Sequence, residues 1–127
     1  MPSGGVVKAG AVLITMPRAI CSDREGVGTR IDGPVTRFDP LARGGSHIPD
    51  GSVAHLHVAR YETRGVLQIH FVIDAVTIRG HRYEVQGNAI SDTEFLSTRR
   101  SRTGSPTICY ASGAALPGSL TVDIDTR

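Results

Sequence analysis

Apolar residues in this chain fall in short runs punctuated by glycine, proline and small polar residues, and the longest such stretch lies between Val53 and Ile78. Val53 to Tyr61 and Val66 to Ile78 are dense in Val, Ile, Leu, Phe and Tyr, whose branched or planar side chains suit a pleated surface better than a helix. The polar turn Glu62-Thr63-Arg64-Gly65 ends in glycine, so the pair is predicted to form a long β-hairpin. His81 to Ala89 has the clearest alternation in the chain. His81, Tyr83, Val85, Gly87 and Ala89 share one face, and Arg82, Glu84, Gln86 and Asn88 share the other.

Shorter runs complete the pattern. Ala11 to Met16 is an apolar strand closed by Pro17, and Pro34 to Phe38 is a second one halted at Asp39-Pro40, because the residue before a proline is biased away from the helical region. Cys21 to Gly33 and Leu41 to Gly51 read as loops from their Gly and Pro punctuation. Glu94 to Arg100, Thr107 to Ser112 and Ser119 to Asp125 are predicted as three further strands, with the segment from Gly113 to Gly118 as a loop. No ten-residue segment carries a helical stripe free of Gly and Pro. Eight regularly spaced strands predict an all-β fold, an eight-stranded antiparallel β-barrel, which can close around one small-ligand cavity.

Composition narrows the class. The 127 residues suffice for one core, so residues 11–127 are expected to be a single barrel domain and the small, Gly-rich Met1 to Gly10 a flexible arm or a lid. A net charge of +2 is too small to imply a nucleic-acid surface, and the arginine bias among its fourteen cations is what a GC-rich genome encodes as readily as what surface hydrogen bonding selects. The two cysteines, Cys21 and Cys109, are too few for a disulfide framework or a zinc site and are expected to be buried, reduced thiols. No run approaches the roughly 20 apolar residues that span a bilayer, and MPSGGVVKAG lacks the apolar core of a signal peptide, so a cytoplasmic location with no membrane partner is expected.

The most catalytic-looking pattern is His55-Leu56-His57 followed by Glu62. Two histidines at i and i+2 on a strand share a face and with a carboxylate could hold a metal. The pattern resembles the first motif of the cupins over about a dozen residues, but Glu62 lies in the turn and no second motif supplies a further histidine. The alternative is a pair of solvated histidines, with Ala54, Leu56 and Val58 forming the apolar face, and no metal or other cofactor is expected. There is no nucleophile elbow, dinucleotide-binding glycine motif or P-loop. A spatial Ser–His–Asp triad has no sequence signature to look for.

Taken in order, several segments resemble the allene-oxide-cyclase-like barrels, most closely the spirotetronate cyclases, which are cofactor-free Diels–Alderases of polyketide biosynthesis. The matching segments are Ala11-Val12-Leu13-Ile14-Thr15-Met16-Pro17, Gly33-Pro34-Val35-Thr36-Arg37-Phe38-Asp39, the hairpin with Gly65-Val66-Leu67, and Gln86-Gly87-Asn88-Ala89. The later strands depart from the family by lacking tryptophan, and its glycine-containing turn is only loosely echoed by Thr103-Gly104 or Tyr110-Ala111-Ser112-Gly113. The resemblance implies a cyclase acting on a hydrophobic linear polyketide inside the barrel. Alternatives are a lipocalin-like carrier that binds without turnover and the cupin-like metalloenzyme.

Carried over by position, the resemblance puts Phe38 and His70 in the lumen, with Val66 and Gln68 on the face of His70. Alternation alone turns that strand the other way, since Leu67, Ile69, Phe71 and Ile73 are its apolar set. We follow the resemblance here, because a face mixing Gln, His and Asp with valines suits a cavity that orients a polar substrate. His70 and Tyr83 are then the expected catalytic donors, and Phe38, Leu56, Val66, Gln68, Val85 and Tyr110 the expected substrate lining. The displaced apolar set would need a cover, for which a homodimer is expected.

Overall fold

The computed structural model describes residues 6–36, 48–49, 51–99 and 106–126. Their strands, in chain order, are β1 (Val6–Val7), β2 (Gly10–Thr15), β3 (Ile20–Cys21), β4 (Arg30–Thr36), β5 (Val53–Glu62), β6 (Gln68–Ile78) and β7 (His81–Ile90). A 3-10 turn (Thr93–Phe95) then leads to β8 (Leu96–Arg99), β9 (Thr107–Tyr110), β10 (Ala115–Leu120) and β11 (Ile124–Asp125). The molecule is all-β, as the pattern of short apolar runs requires.

Closure is achieved by six strands among the described residues, in the order β10-β2-β4-β5-β6-β7, every neighbouring pair antiparallel. The segments expected to supply further staves do something else. Strands β3, β9 and β8 form a separate three-stranded sheet, and β1 pairs with β11. That last pairing ties down the described end of the expected flexible arm: Val7 is buried, and the Ala9 amide donates to Asp123 Oδ1 at 2.7 Å. Strand β10 runs through the Pro117-Gly118 pair, which punctuation alone marks as loop. Pro117 pairs with Leu13 on β2, whereas the ladder to β7 begins only at Gly118, so the missing amide costs no bond on that side.

The barrel interior is a packed core. Ile14, Leu56, Val58, Ile69, Phe71, Ile73, Leu116 and Leu120 are each at most 2% exposed, and the buried Ile20, Ile108 and Tyr110 of the smaller sheet join the same cluster. Eight strands leave an interior just wide enough for side chains to fill, and six leave less. Close approach across the seam between β7 and β10 depends on Gly87, where a Cβ would lie 2.5 Å from the carbonyl oxygen of Ser119.

This packing corrects the orientation of β6. Ile69, Phe71 and Ile73 point inward and are at most 1% exposed, while Gln68 and His70 lie on the outer face, half-buried. Facing the three apolar side chains outward would forgo about 2 kcal/mol of burial apiece, more than any placement of Gln68 and His70 returns. The apolar set is covered by the barrel itself, so a second subunit is not needed to cover it.

The expectation of reduced thiols is also corrected. Cys21 and Cys109 are register partners on β3 and β9, with Cα atoms 4.1 Å apart, and form a disulfide. The next amide along, Ser22 N–H, donates to the carbonyl of Ile108, so the cysteines occupy the non-hydrogen-bonded type of site at which opposing side chains come closest. Disulfides persist in oxidising surroundings, which sets this bond against a cytoplasmic location. No helix among the described residues is long and apolar enough to cross a membrane.

Tyr61, at the far end of β5, donates its hydroxyl to the carbonyl of Glu25 at 2.7 Å, and burial, with the nearby Glu25 carboxylate, pushes its pKa up to about 12. An unfolded tyrosine ionises near pH 10. Above that pH the unfolded chain releases a proton that the fold retains, so stability is expected to fall from pH 10 to about 12. Urea midpoints measured across this range should drop, and Tyr61→Phe should flatten part of the drop while costing about 1 kcal/mol at neutral pH for the lost hydrogen bond. Part of the slope should survive in that variant, because burial also raises the pKa of Tyr110.

Candidate functional site on the outer face of the barrel

Strand alternation builds this site. On β5 the side chains of Ala54, Leu56 and Val58 face inward and are buried, which turns His55 and His57 outward. Their register partners on β4 are Asp32 for His55 and Arg30 for His57, so all four side chains share the outer face. On the other side, β6 carries a bulge. Leu56 pairs with Ile73 and His55 with Ala75, leaving Asp74 as the extra residue between them. A bulge of this kind re-aims a side chain, and here it delivers the Asp74 carboxylate to His57.

Two imidazole–carboxylate pairs result. His55 Nδ1 is 2.6 Å from Asp32 Oδ1, and its Nε2 is 2.7 Å from Thr77 Oγ1 on β6. His57 Nδ1 is 2.6 Å from Asp74 Oδ2, and its Nε2 has no hydrogen-bond partner among the described residues. The two histidines, both aspartates, Arg30 and Arg82 line an open trough of about 620 Å³ whose rim includes Gly28. Arg82 on β7 donates through Nε to Glu84 at 3.0 Å, whereas Arg30 has no acidic partner among the described residues. The trough thus holds paired acids and bases at its centre and guanidinium groups on its flanks.

The same contacts disfavour the cupin-like metal reading. Both Nδ1 atoms face carboxylates and His55 Nε2 faces Thr77, so only one imidazole nitrogen of the pair is free to bind an ion. Glu62 is turned to the hairpin end, where it accepts from the Arg64 amide. No group of three or more His, Cys, Asp or Glu side chains among the described residues is placed to hold a metal ion.

The residues expected to line a lumen do not converge. His70 sits on the outer face with its Nε2 3.5 Å from the Arg60 guanidinium, and partial burial, reinforced by that cation, lowers its pKa. Gln68 is beside it on the same face, and Val66 is exposed in the hairpin connection. Leu56 and Val85 are core residues, and Tyr83 is half-buried against the core near the β6–β7 turn. Tyr110 lies on β9, outside the barrel strands, where its hydroxyl donates to the carbonyl of Ala115 and accepts from the Asp92 amide. Phe38 lies outside the described residues.

Of the trough residues, the His-x-His spacing alone was visible in advance. Arg30 and Asp32 lie in a segment whose glycines read as loop, and Arg82, like the Thr77 that bonds His55, is an unremarkable strand polar residue. Asp74 is the one carboxylate interrupting the apolar run of β6, which is the signal that could have marked the bulge. No protein-family model matches the chain. No curated protein is similar enough to it to count as a relative.

Proposed function

We propose that this barrel is a cofactor-independent acid–base catalyst whose site is the outer trough. The observation that carries the reading is the His57–Asp74 pair: a carboxylate at Nδ1 and an unpartnered Nε2 lining a cavity. A carboxylate that accepts the Nδ1 proton fixes the tautomer in which Nε2 is the basic atom and stabilises the imidazolium once Nε2 has taken a proton. Arg30, directly across the ladder from His57, supplies a donor fork for a carboxylate or phosphate on the substrate. The substrate class is then an anionic small molecule with an acidic proton next to the anchored group.

The ring closure of a linear polyketide implied by the family resemblance is a different reading, since a [4+2] cycloaddition transfers no proton and would draw on the trough only to hold the reactive conformer. Supporting it is the closed antiparallel barrel. In that case the substrate would lie in the trough, because the lumen is filled by Ile69, Phe71, Ile73 and their neighbours.

The test follows exchange of the methyl protons of pyruvate in deuterium oxide by NMR, beside conversion of a linear polyketide keto acid by the purified protein. Acceleration over buffer is expected. His57→Gln should reduce it at least about 100-fold, the usual contribution of a positioned general base. Arg30→Gln should raise KM more than it lowers kcat, as expected when a binding contact common to substrate and transition state is removed. Binding of both compounds without exchange or conversion would make the barrel a carrier and overturn the reading, as would a fully active His57→Gln variant.

A further inference from the structure

Proton transfer at His57 leaves unused a second hydrogen-bonded array, which runs from the trough into the β6 ladder. Asp32, His55 and Thr77 stand on the neighbouring strands β4, β5 and β6 and are joined in series. The carboxylate is 2.6 Å from Nδ1 of the imidazole, and Nε2 is 2.7 Å from the threonine hydroxyl. With Nδ1–H donated to Asp32, Nε2 keeps its lone pair and accepts the Thr77 proton. That order of contacts, carboxylate to imidazole to hydroxyl, is what turns an alcohol into a nucleophile, and it is recognised by geometry whatever the fold.

A fourth side chain extends the row. Arg82 on β7 is the register partner of Thr77, so it stands on the same outer face, and it lines the trough. Its Nε is engaged by Glu84, which leaves its terminal N–H groups for an oxygen on which negative charge develops. The half-buried Thr77 is therefore hydrogen-bonded to one residue of the cavity wall, His55, and is the register partner of another, Arg82, and that cavity is large enough for a small acyl compound.

We propose that Thr77 is the nucleophile of an acyl-transfer reaction on activated esters or thioesters. His55 is its general base, Asp32 is the positioning residue for the imidazole, and Arg82 is the oxyanion stabiliser. His55 Nε2 takes the hydroxyl proton as Thr77 Oγ1 bonds to the carbonyl carbon, whose electron pair moves onto the oxygen facing Arg82. The pair returns to re-form the carbonyl as the bond to the leaving oxygen or sulfur breaks, and the leaving group takes the proton from His55. Water then repeats the sequence on the Thr77 ester, releasing the carboxylic acid and restoring the hydroxyl. Nothing in this chemistry requires proton transfer at His57.

The experiment treats the intact protein with p-nitrophenyl acetate at neutral pH. It follows the release of nitrophenolate and locates the acetyl group by peptide-resolved mass spectrometry. A burst with acetyl on Thr77 is expected. Thr77→Val, which keeps the side-chain shape, should abolish both, Thr77→Ser should retain them, and His55→Gln should slow acetylation at least about 100-fold. Circular dichroism of each variant establishes that it is folded. Acetyl found elsewhere with Thr77 unlabelled, or an unchanged burst in folded Thr77→Val, would overturn the assignment. An adduct on Thr77 is a readout that proton exchange at His57 cannot produce, so the two readings fail separately.

Discussion

Reduction of the Cys21–Cys109 disulfide is expected to lower the stability of the fold by about 4–5 kcal/mol, a large part of the 5–15 kcal/mol typical of a single domain. The bond joins residues 88 apart in the chain, so breaking it releases a long loop in the unfolded ensemble. The chain-entropy model assigns about 4.7 kcal/mol to a loop of 100 residues, and the dependence on length is logarithmic, so this loop gains nearly as much. What the bond secures locally is the short strand β3, whose described ladder to β9 contains only two residue pairs, one of them the cystine itself. Guanidinium chloride midpoints with and without dithiothreitol measure the effect. The double variant Cys21→Ala with Cys109→Ala should match the reduced wild type and show no response to reductant. Equal midpoints for oxidised and reduced protein would mean that the constraint contributes nothing.

Phe71→Ala is expected to cost about 3–5 kcal/mol, and His70→Ala, one residue away, less than about 0.5 kcal/mol. Phe71 is 1% exposed and packed inside the barrel, so truncation removes both its transfer free energy and its contacts with the surrounding Ile and Leu side chains. The only side-chain hydrogen bond of His70 among the described residues is the long one to Arg60. The pair of variants reads the parity of β6 directly. Chemical denaturation giving the opposite order would turn the strand over and return His70 and Gln68 to the interior.

The parity of β6 is where the structure departs furthest from the expected placement of Gln68 and His70. Alternation in the segment from Leu67 to Ile73 points its apolar set inward, and the structure agrees. A family resemblance built on the order of weak segments overruled that local signal, although burying Ile69, Phe71 and Ile73 is worth several kcal/mol and no homology of order can offset that. The hairpin itself, the inward face of β7 and the His-x-His pair on the outer face of β5 were all legible. Each is encoded by period-two alternation over nine or more residues, which leaves little freedom.

The remaining parts depend on contacts between segments far apart in the chain. Arg30 and Asp32 look like loop residues until β5 supplies a partner strand, and only the register Asp32 to His55 makes them members of a site. The bulge at Asp74 is a relation between β6 and its neighbours on both sides, with no signature in β6 beyond a carboxylate in an apolar run. The cysteine pairing joins residues 88 apart and follows from where β3 and β9 meet.

From its residues alone this protein is committed to β-structure, to a long central hairpin and to histidines facing outward on β5, because side-chain branching and alternation act within a strand. The number of staves in the barrel, the direction β6 faces at its bulge, the assembly of Asp32, His55, His57 and Asp74 into one trough and the contact of His55 with Thr77 were decided by the tertiary structure. Closure of the sheet sets the register between strands, and register determines which polar groups meet.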